Sequence, residues 1–366
     1  MDYDEPLFFH VIQYAHRADR DVVDMVSGNP DWDPPAALRD GLHEYADAPT
    51  EAFQYPPSDG LRDLREEIAA RRDVDPARVI VTNGGGEANY LAMARAMERD
   101  AGDEFVLTDP VYPYYPGKAQ MLGGTATTVP VHEDGHLDMD AMRAAITDET
   151  ACIVVNTPNN PTGAVYPRET IEELAGLAEA HDALFLVDEV YDHFDFSGRF
   201  ESALTVDSPN RVVTSSYSKT FGITGFRVGY SVFPEPLAEK AKTRHMLVNV
   251  TGSRPSQAAV LSALEATGPA YHENVRDTLR TRIDAFCDAL DAAGADYSRP
   301  EGAFYVLARF DGFPGTMENV KALIDDGGVA GMPGEAFGEA RDEWIRFALC
   351  TPRAEEAAER LAAYFA

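Results

Sequence analysis

Residues 211–227 read RVVTSSYSKTFGITGFR. The run opens as a short Val-rich strand, then passes into two serines, a tyrosine, a third serine and Lys219. Lysine is scarce in this chain: Lys118, Lys219, Lys240, Lys242 and Lys321 are all there are. One of them stands just beyond an apolar strand, among hydroxyls and glycines, with Arg227 further on. Desolvating a cation there costs free energy unless its chemistry or a partner offsets it. The strands that precede it fix the fold.

Working back, ALFLVD (183–188), ACIVVN (151–156), EFVLT (104–108) and RVIVT (78–82) are short, apolar and without polar alternation. Strands covered by helices on both faces read this way. TATTVPV is a further strand. Between them GGEANYLAMARAM, YYPGKAQML, DMDAMRAAI and TIEELAGLAEA read as helices. Upstream, LRDLREEIAARR (61–72) sets Leu61, Leu64 and Ile68 on one helical face. RVVTSS (211–216) and RVGYSVF (227–233) continue the series. The alternation predicts an α/β protein whose large domain is a doubly wound, mainly parallel sheet.

A helical region follows, and YHENVRDTLRTRIDAFCDALDAAG is long and amphipathic enough to cross between two lobes. GAFYVLARF, NVKALIDD, WIRFALC and PRAEEAAERLAAYF predict a smaller α/β domain. The Pro-rich beginning of the chain shows no period and is expected to wrap back onto that lobe. The expected limits are 1–40 for an N-terminal arm contributing to the small domain, 41–250 for the large domain, and 251–366 for the interdomain helix and C-terminal small domain.

A length of 366 residues, 45% hydrophobic, supports such a pair of domains. The net charge of −31 repels phosphate backbones and anionic membranes, so neither nucleic acid nor membrane is an expected partner. The acidic residues are spread along the chain, a pattern suited to high salt, where screening tames self-repulsion. An ordinary acidic protein from an Arg-rich genome is the alternative. Cys152, Cys287 and Cys350 lie in apolar contexts without CxxC or Cys/His spacing, as buried thiols of a reducing compartment do. The start, MDYDEPLFFHVIQYAH, has no basic leader, and no apolar run reaches membrane-span length. The expected location is the cytoplasm.

In open α/β sheets, ligands sit beyond the carboxyl ends of the strands. After RVIVT comes Asn83-Gly84-Gly85-Gly86-Glu87, where glycines at a helix start let backbone N–H groups approach an anion; a plain tight turn is the alternative. After EFVLT, Pro110 and Pro113 hold a turn around Tyr112, either an aromatic plate or a core tyrosine. After ACIVV comes NTPNNPTG, with Asn159 and Asn160, and after ALFLV come Asp188, Glu189 and Tyr191. A carboxylate ending an apolar strand needs a cation to meet it. A lysine that can attack a carbonyl, a buried acid, a phenol, an aromatic plate and a phosphate nest together suit an aldehyde cofactor bearing a pyridine nitrogen and a phosphate. Pyridoxal phosphate is such a cofactor.

NNPTG, DEVY and SYSKTFGITGFRVGY, in this order and spacing, resemble the fold-type I pyridoxal-phosphate-dependent aminotransferases of class I/II, the aspartate and aromatic aminotransferase kind. The resemblance runs from SGNPDWDPP to WIRFALC. It implies that Lys219 bonds the cofactor aldehyde and that Asp188 keeps the pyridine nitrogen protonated. Tyr191 and Asn160 are implied at the ring oxygen, and Tyr112 on the ring face. Ser216, Ser218, Arg227 and the Gly85 and Gly86 amides are implied at the phosphate. Arg346 corresponds to the family's arginine for the substrate α-carboxylate, with Gly28 and Asn160 beside it. Tyr55 corresponds to a tyrosine that reaches the phosphate of a neighbouring subunit, which implies a homodimer. On residues alone, Arg346 also fits a surface ion pair, Tyr55 a core aromatic and Gly28 a turn. The sequence departs from the family at Gly86, where Ser, Ala or Lys is usual, and in its short N-terminal arm.

The implied reaction moves an amino group from an L-amino acid to a 2-oxo acid, with Lys219 carrying the α-proton. Aspartate with 2-oxoglutarate is the first pairing to consider. Lys118, Arg254 or Arg17 could meet a second substrate carboxylate, whereas Tyr14, Trp32 and Tyr112 would admit an aromatic or aliphatic side chain. The same fold and cofactor also serve C–S β-lyases, and a non-catalytic PLP-sensing regulatory domain is the alternative from another class. If high salt is the working medium, the melting temperature falls as salt is lowered from molar to millimolar. Indifference to salt leaves the ordinary acidic reading.

Overall fold

The computed structural model describes residues 7–99 and 101–366; residues 1–6 of the expected arm lie outside it. The chain opens with α1 (Leu7–Arg17), β1 (Val23–Asp24), α2 (Ala36–Ala46) and α3 (Arg62–Arg72). Strands and helices then alternate through β2 (Val79–Thr82), α4 (Gly85–Met97), β3 (Glu104–Asp109), α5 (Tyr114–Met121), β4 (Thr125–Pro130) and α6 (Met139–Ala145). The series continues with β5 (Thr150–Asn156), α7 (Arg168–Ala180), β6 (Leu184–Asp188), β7 (Arg211–Ser216), α8 (Tyr217–Thr220) and β8 (Gly229–Val232). Three helices follow: α9 (Glu235–Asn249), α10 (Arg254–Ala266) and α11 (Pro269–Ala292). The last part holds β9 (Asp296–Tyr297), β10 (Tyr305–Arg309), α12 (Met317–Ala322), β11 (Val329–Ala330), β12 (Met332–Pro333), β13 (Ile345–Ala348) and α13 (Ala354–Phe365).

Seven strands form the main sheet in the order β2-β8-β7-β6-β5-β3-β4. Its inner strands β3, β5 and β6 are largely apolar on both faces because both are covered, whereas the edge strand β4, TATTVP, is mostly exposed. Phe105, Leu107, Val154, Leu186 and Val212 join one core, while Val106, Ile153, Val155, Phe185 and Val213 join the other. Side chains alternate sides along each strand, so consecutive apolar residues feed the two layers in turn. The sheet is parallel except at β8, which runs antiparallel to β7 and β2. Reading RVGYSVF as one more member of the series misses that reversal. Only residues 217–228, with the one-turn α8, separate β7 from β8, whereas a parallel return needs a helix laid across a sheet face.

β12-β13-β10-β9 make a second, antiparallel sheet. Its core joins Val306, Phe347 and Ile345 to Phe286 and Leu290 of α11, and to Leu361 of α13. β1 pairs in parallel with β11, Val23 opposite Val329, so the start of the chain is part of this lobe. The segment read as lacking a period contains α1, whose Val11 is buried and whose Leu7, Phe8, Ile12, Tyr14 and Ala15 pack on the same core. α2 and α10 pack beside the large sheet, with Leu38, Val260 and Leu264 sharing a core with Leu64, Ile68 and Val81. The three cysteines are buried free thiols. Among the described residues no helix is long and apolar enough to cross a membrane.

Pairing register brings the strand ends level. Asn156 on β5 lies opposite Asp188 on β6, and Asp188 lies opposite Thr214 on β7. The small sheet meets this edge with Tyr305 on β10 and Arg346 on β13, which faces Leu307. A cleft opens between the two.

Candidate active site

The cleft holds a cavity of about 330 Å³. Of the thirteen residues that the resemblance implies at the cofactor or substrate, twelve line it: Gly28, Gly85, Gly86, Tyr112, Asn160, Asp188, Tyr191, Ser216, Ser218, Lys219, Arg227 and Arg346. Tyr55 does not. It lies outside the cavity on a shallow surface with Arg254 and Asn249, and is 81% exposed.

Lys219 stands on the single turn of α8 and donates from Nζ to the Gly28 carbonyl at 2.6 Å. Burial pushes its ammonium down to about 8, helped by the positive Arg346 and Arg227. Gly28 has to be glycine: a Cβ there would fall 2.4 Å from the Tyr305 hydroxyl and 3.4 Å from Lys219 Nζ.

Asp188 closes β6 and is buried. Its Oδ2 accepts from Asn89 Nδ2 at 2.7 Å and from the Tyr115 hydroxyl at 2.6 Å, while Oδ1 accepts from the Val190 amide at 3.1 Å. Asn89 is oriented in turn by Thr214, which donates to its Oδ1 at 2.6 Å. Burial raises the carboxyl above the usual range, and the donors from Tyr115, Asn89 and Val190, with Lys118 behind them, only partly oppose it. An acid held this way gains from a ligand that brings a cationic N–H.

Tyr191 and Tyr305 share a hydroxyl contact at 2.9 Å. Burial pushes Tyr305 up to about 12 and Tyr191 well above its ordinary value, so both remain neutral donors. The Tyr112 phenol is likewise raised by burial, and its ring packs edge-on against Tyr114 and Tyr115.

Arg346 is 3% exposed and sits in a cation–π sandwich, 4.4 Å from the Tyr305 ring centroid and 5.0 Å from that of Phe337. It donates to Asn160 Oδ1 at 3.1 Å and to the Val26 carbonyl, and its Nε has no partner. Among the described residues no carboxylate pairs with it, so the surface ion-pair alternative fails. A buried guanidinium with spare donors is a site for an anion.

At the other end, Arg227 takes a left-handed φ of 56° and donates to the carbonyls of Thr224 at 2.9 Å and Asn83 at 3.1 Å. Gly84 lets it come close, since a Cβ there would lie 2.5 Å from Arg227 Nη2. A Cβ on Gly86 would meet nothing, so the start of α4 faces open space. Ser216 and Ser218 border the same end.

Several residues here escaped the sequence reading. Asn89 is a polar side chain among the buried Ala88, Leu91 and Ala92 of α4, a signal that could have found it. Tyr115 and Tyr305 look like core aromatics in their own segments. Tyr14 bonds Asp325 and Trp32 packs on Phe194 and Phe304, away from the lining. Lys118 lies over the rings of Tyr114 and Tyr115, and Arg254 is engaged by the Glu51 and Gln54 carbonyls.

A mainly parallel sheet with a buried lysine and carboxylate beyond its strand ends, facing an arginine from a second lobe, fits an α/β group-transfer enzyme that works through an aldehyde cofactor. Residues 20–363 match the family model of aminotransferase class I and II. The chain belongs to that family. It is 34% identical over 358 residues to the aspartate/prephenate aminotransferase of Thermus thermophilus, covering 93% of this chain and 90% of the relative. It is 30% identical over 366 residues to the aspartate aminotransferase of Bacillus subtilis, covering 94% and 91%. The solved aspartate aminotransferase of Thermus thermophilus with maleate superposes with a TM-score of 0.91 at 31% identity, over 98% of this chain and 97% of that one. The protein is thus a transaminase, and its family uses pyridoxal phosphate.

The residues present fit that cofactor. Asp188 is a dry carboxylate awaiting a cation, Lys219 is an amine depressed by burial, and the Gly85–Gly86 end offers glycines and Arg227 to a phosphate. With the cofactor removed, labelling of Lys219 by an amine-reactive aryl fluoride should rise with pH through a midpoint near 8. A midpoint at the ordinary lysine value would contradict the desolvated setting.

Proposed function

We propose that this transaminase takes the amino group of L-aspartate and delivers it to a 2-oxo acid such as 2-oxoglutarate. The observation that carries it is Arg346, a buried guanidinium without a carboxylate partner among the described residues, lining the same cavity as the amine that would handle the α-proton. The names of the relatives support aspartate as donor.

In this reading the α-carboxylate docks on Arg346, beside Asn160 and Gly28. Bound cofactor supplies an electron sink for the pair left when Cα loses its proton. Lys219 Nζ, neutral above about pH 8, is placed to take that proton and to give it back. Asp188 would meet the pyridine nitrogen, its carboxylate held by Asn89 and Tyr115. Tyr191 and Asn160 would hold the ring oxygen and Tyr112 the ring. Ser216, Ser218, Arg227 and the amides of Gly85 and Gly86 would hold the phosphate.

Two copies form the working unit in this proposal. Tyr55 and Phe53 are 81% and 55% exposed, and Leu247, Val248 and Val250 add 78%, 56% and 54%. Apolar side chains so exposed are usual at surfaces that another chain covers, and Tyr55 would then reach the partner's phosphate site. The acidic surface suits a cytoplasm rich in salt. The limits 41–250 for the cofactor-binding domain, and 1–40 with 251–366 for the smaller one and its connecting helix, belong to the same reading.

A half-reaction screen tests it. Each L-amino acid is mixed with cofactor-loaded protein and the visible cofactor band is followed. Aspartate should bleach the band fastest, and added 2-oxoglutarate should restore it. Pyruvate released from cystathionine without an acceptor, and no bleaching by aspartate, would replace transfer with elimination.

A further inference from the structure

Beneath the glycines of the phosphate end lies a buried cluster that the reaction does not use. Glu87 is the third residue of α4, and its side chain is 8% exposed. Its Oε2 accepts from the backbone N–H of Asn83 at 2.6 Å. Its Oε1 accepts from His245 Nδ1 at 2.6 Å and also from Asn249 Nδ2. His245 and Asn249 both come from α9, and His245 is 0% exposed.

A glutamate at this position of a helix commonly reaches back to an amide of the preceding turn, and does so in solvent. This one is enclosed and takes two further donors from another helix. A carboxylate only accepts, so the imidazole nitrogen facing it carries the proton. The other ring nitrogen, Nε2, is then buried with no partner. An apolar side chain would pack there without that cost. What the histidine contributes in return is its hydrogen bond to Glu87. The end of α9 carries strain as well: Val250, directly after Asn249, has a φ of 63°, which a β-branched residue keeps only where its surroundings force it.

The Asn83 peptide is gripped from both sides. Its N–H goes to Glu87, and its carbonyl accepts from Arg227 Nη2 at 3.1 Å. Fixing Asn83 therefore fixes Gly84 to Gly86 and the guanidinium of Arg227 together.

Taking this end as the phosphate end, as proposed above, we propose that His245, with Asn249, is a positioning residue for cofactor binding: it holds the Glu87 carboxylate, which pins the Asn83 amide and so sets the phosphate-facing loop and Arg227. It touches neither cofactor nor substrate.

The test measures the affinity of cofactor-stripped protein for pyridoxal phosphate, together with the melting temperature of the stripped form. Replacing His245→Leu removes the donor but keeps the site filled. Affinity should fall about tenfold, the effect of losing roughly 1.4 kcal/mol of preorganisation. His245→Asn places an amide N–H where Nδ1–H was and should restore most of it. Asn249→Ala, at the end of α9, removes the second donor and should weaken binding by a smaller factor; it serves alone should His245→Leu fail to fold. Backbone amide exchange at Asn83 should quicken in step with the loss of affinity. Unchanged affinity in His245→Leu and Asn249→Ala, with only a lower melting temperature, would make the cluster a packing feature and overturn the assignment. Equal loss in His245→Asn and His245→Leu would overturn it too. Failure of the unsubstituted protein to bind pyridoxal phosphate strikes the cofactor reading instead, and is distinguishable on that ground.

Discussion

Lys219 is held dry, with a carbonyl rather than a carboxylate against its amine. Much of the architecture follows from that. An amine left beside a carboxylate would keep its proton far into the alkaline range, whereas burial, with Arg346 and Arg227 adding to it, brings this one down to about 8. The nearest backbone has to be glycine for the contact with Gly28 to exist. The buried acid, Asp188, is bonded to Asn89, Tyr115 and the Val190 amide instead. The acid ends β6 and the amine stands on the turn of α8 just after β7, the next strand of the sheet, so level strand ends bring both to the same cleft.

The charges of the cleft form two unfinished pairs. Arg346 has spare donors and no carboxylate among the described residues, and Asp188 has an ionisation that burial opposes. Each needs a ligand group of opposite sign, and an amino acid joined to a pyridinium cofactor brings both. The free protein is thus left electrostatically incomplete, and binding energy goes into completing it. Both lobes contribute, since the large one brings Asp188 and Lys219 to the cleft and the small one brings Arg346 and Tyr305.

The sheet was legible because its inner parallel strands β3, β5 and β6 are runs of apolar residues ended by a polar one, and the two faces are filled by alternate side chains of the same strand. Asp188 and Lys219 stood out for that reason. The direction of β8 was not legible, because an apolar run says nothing about polarity and only the brevity of residues 217–228 hints at a reversal. α1 was missed since its apolar positions sit within a segment crowded by aromatics and followed by turns. Tyr305 and Tyr115 looked like core residues because, within their own segments, they are. Their function comes from what the other lobe or a neighbouring strand places beside them, and no local pattern encodes that. Tyr55 belongs to a surface that the single chain leaves open.

The covalent role of Lys219 is the claim on which the rest depends. Reduction of the cofactor-loaded protein with borohydride, followed by peptide mapping, tests it most directly. The account predicts a single pyridoxyl label, carried by Lys219. A label on Lys118 or another lysine, or none at all on protein that has bound the cofactor, would contradict it.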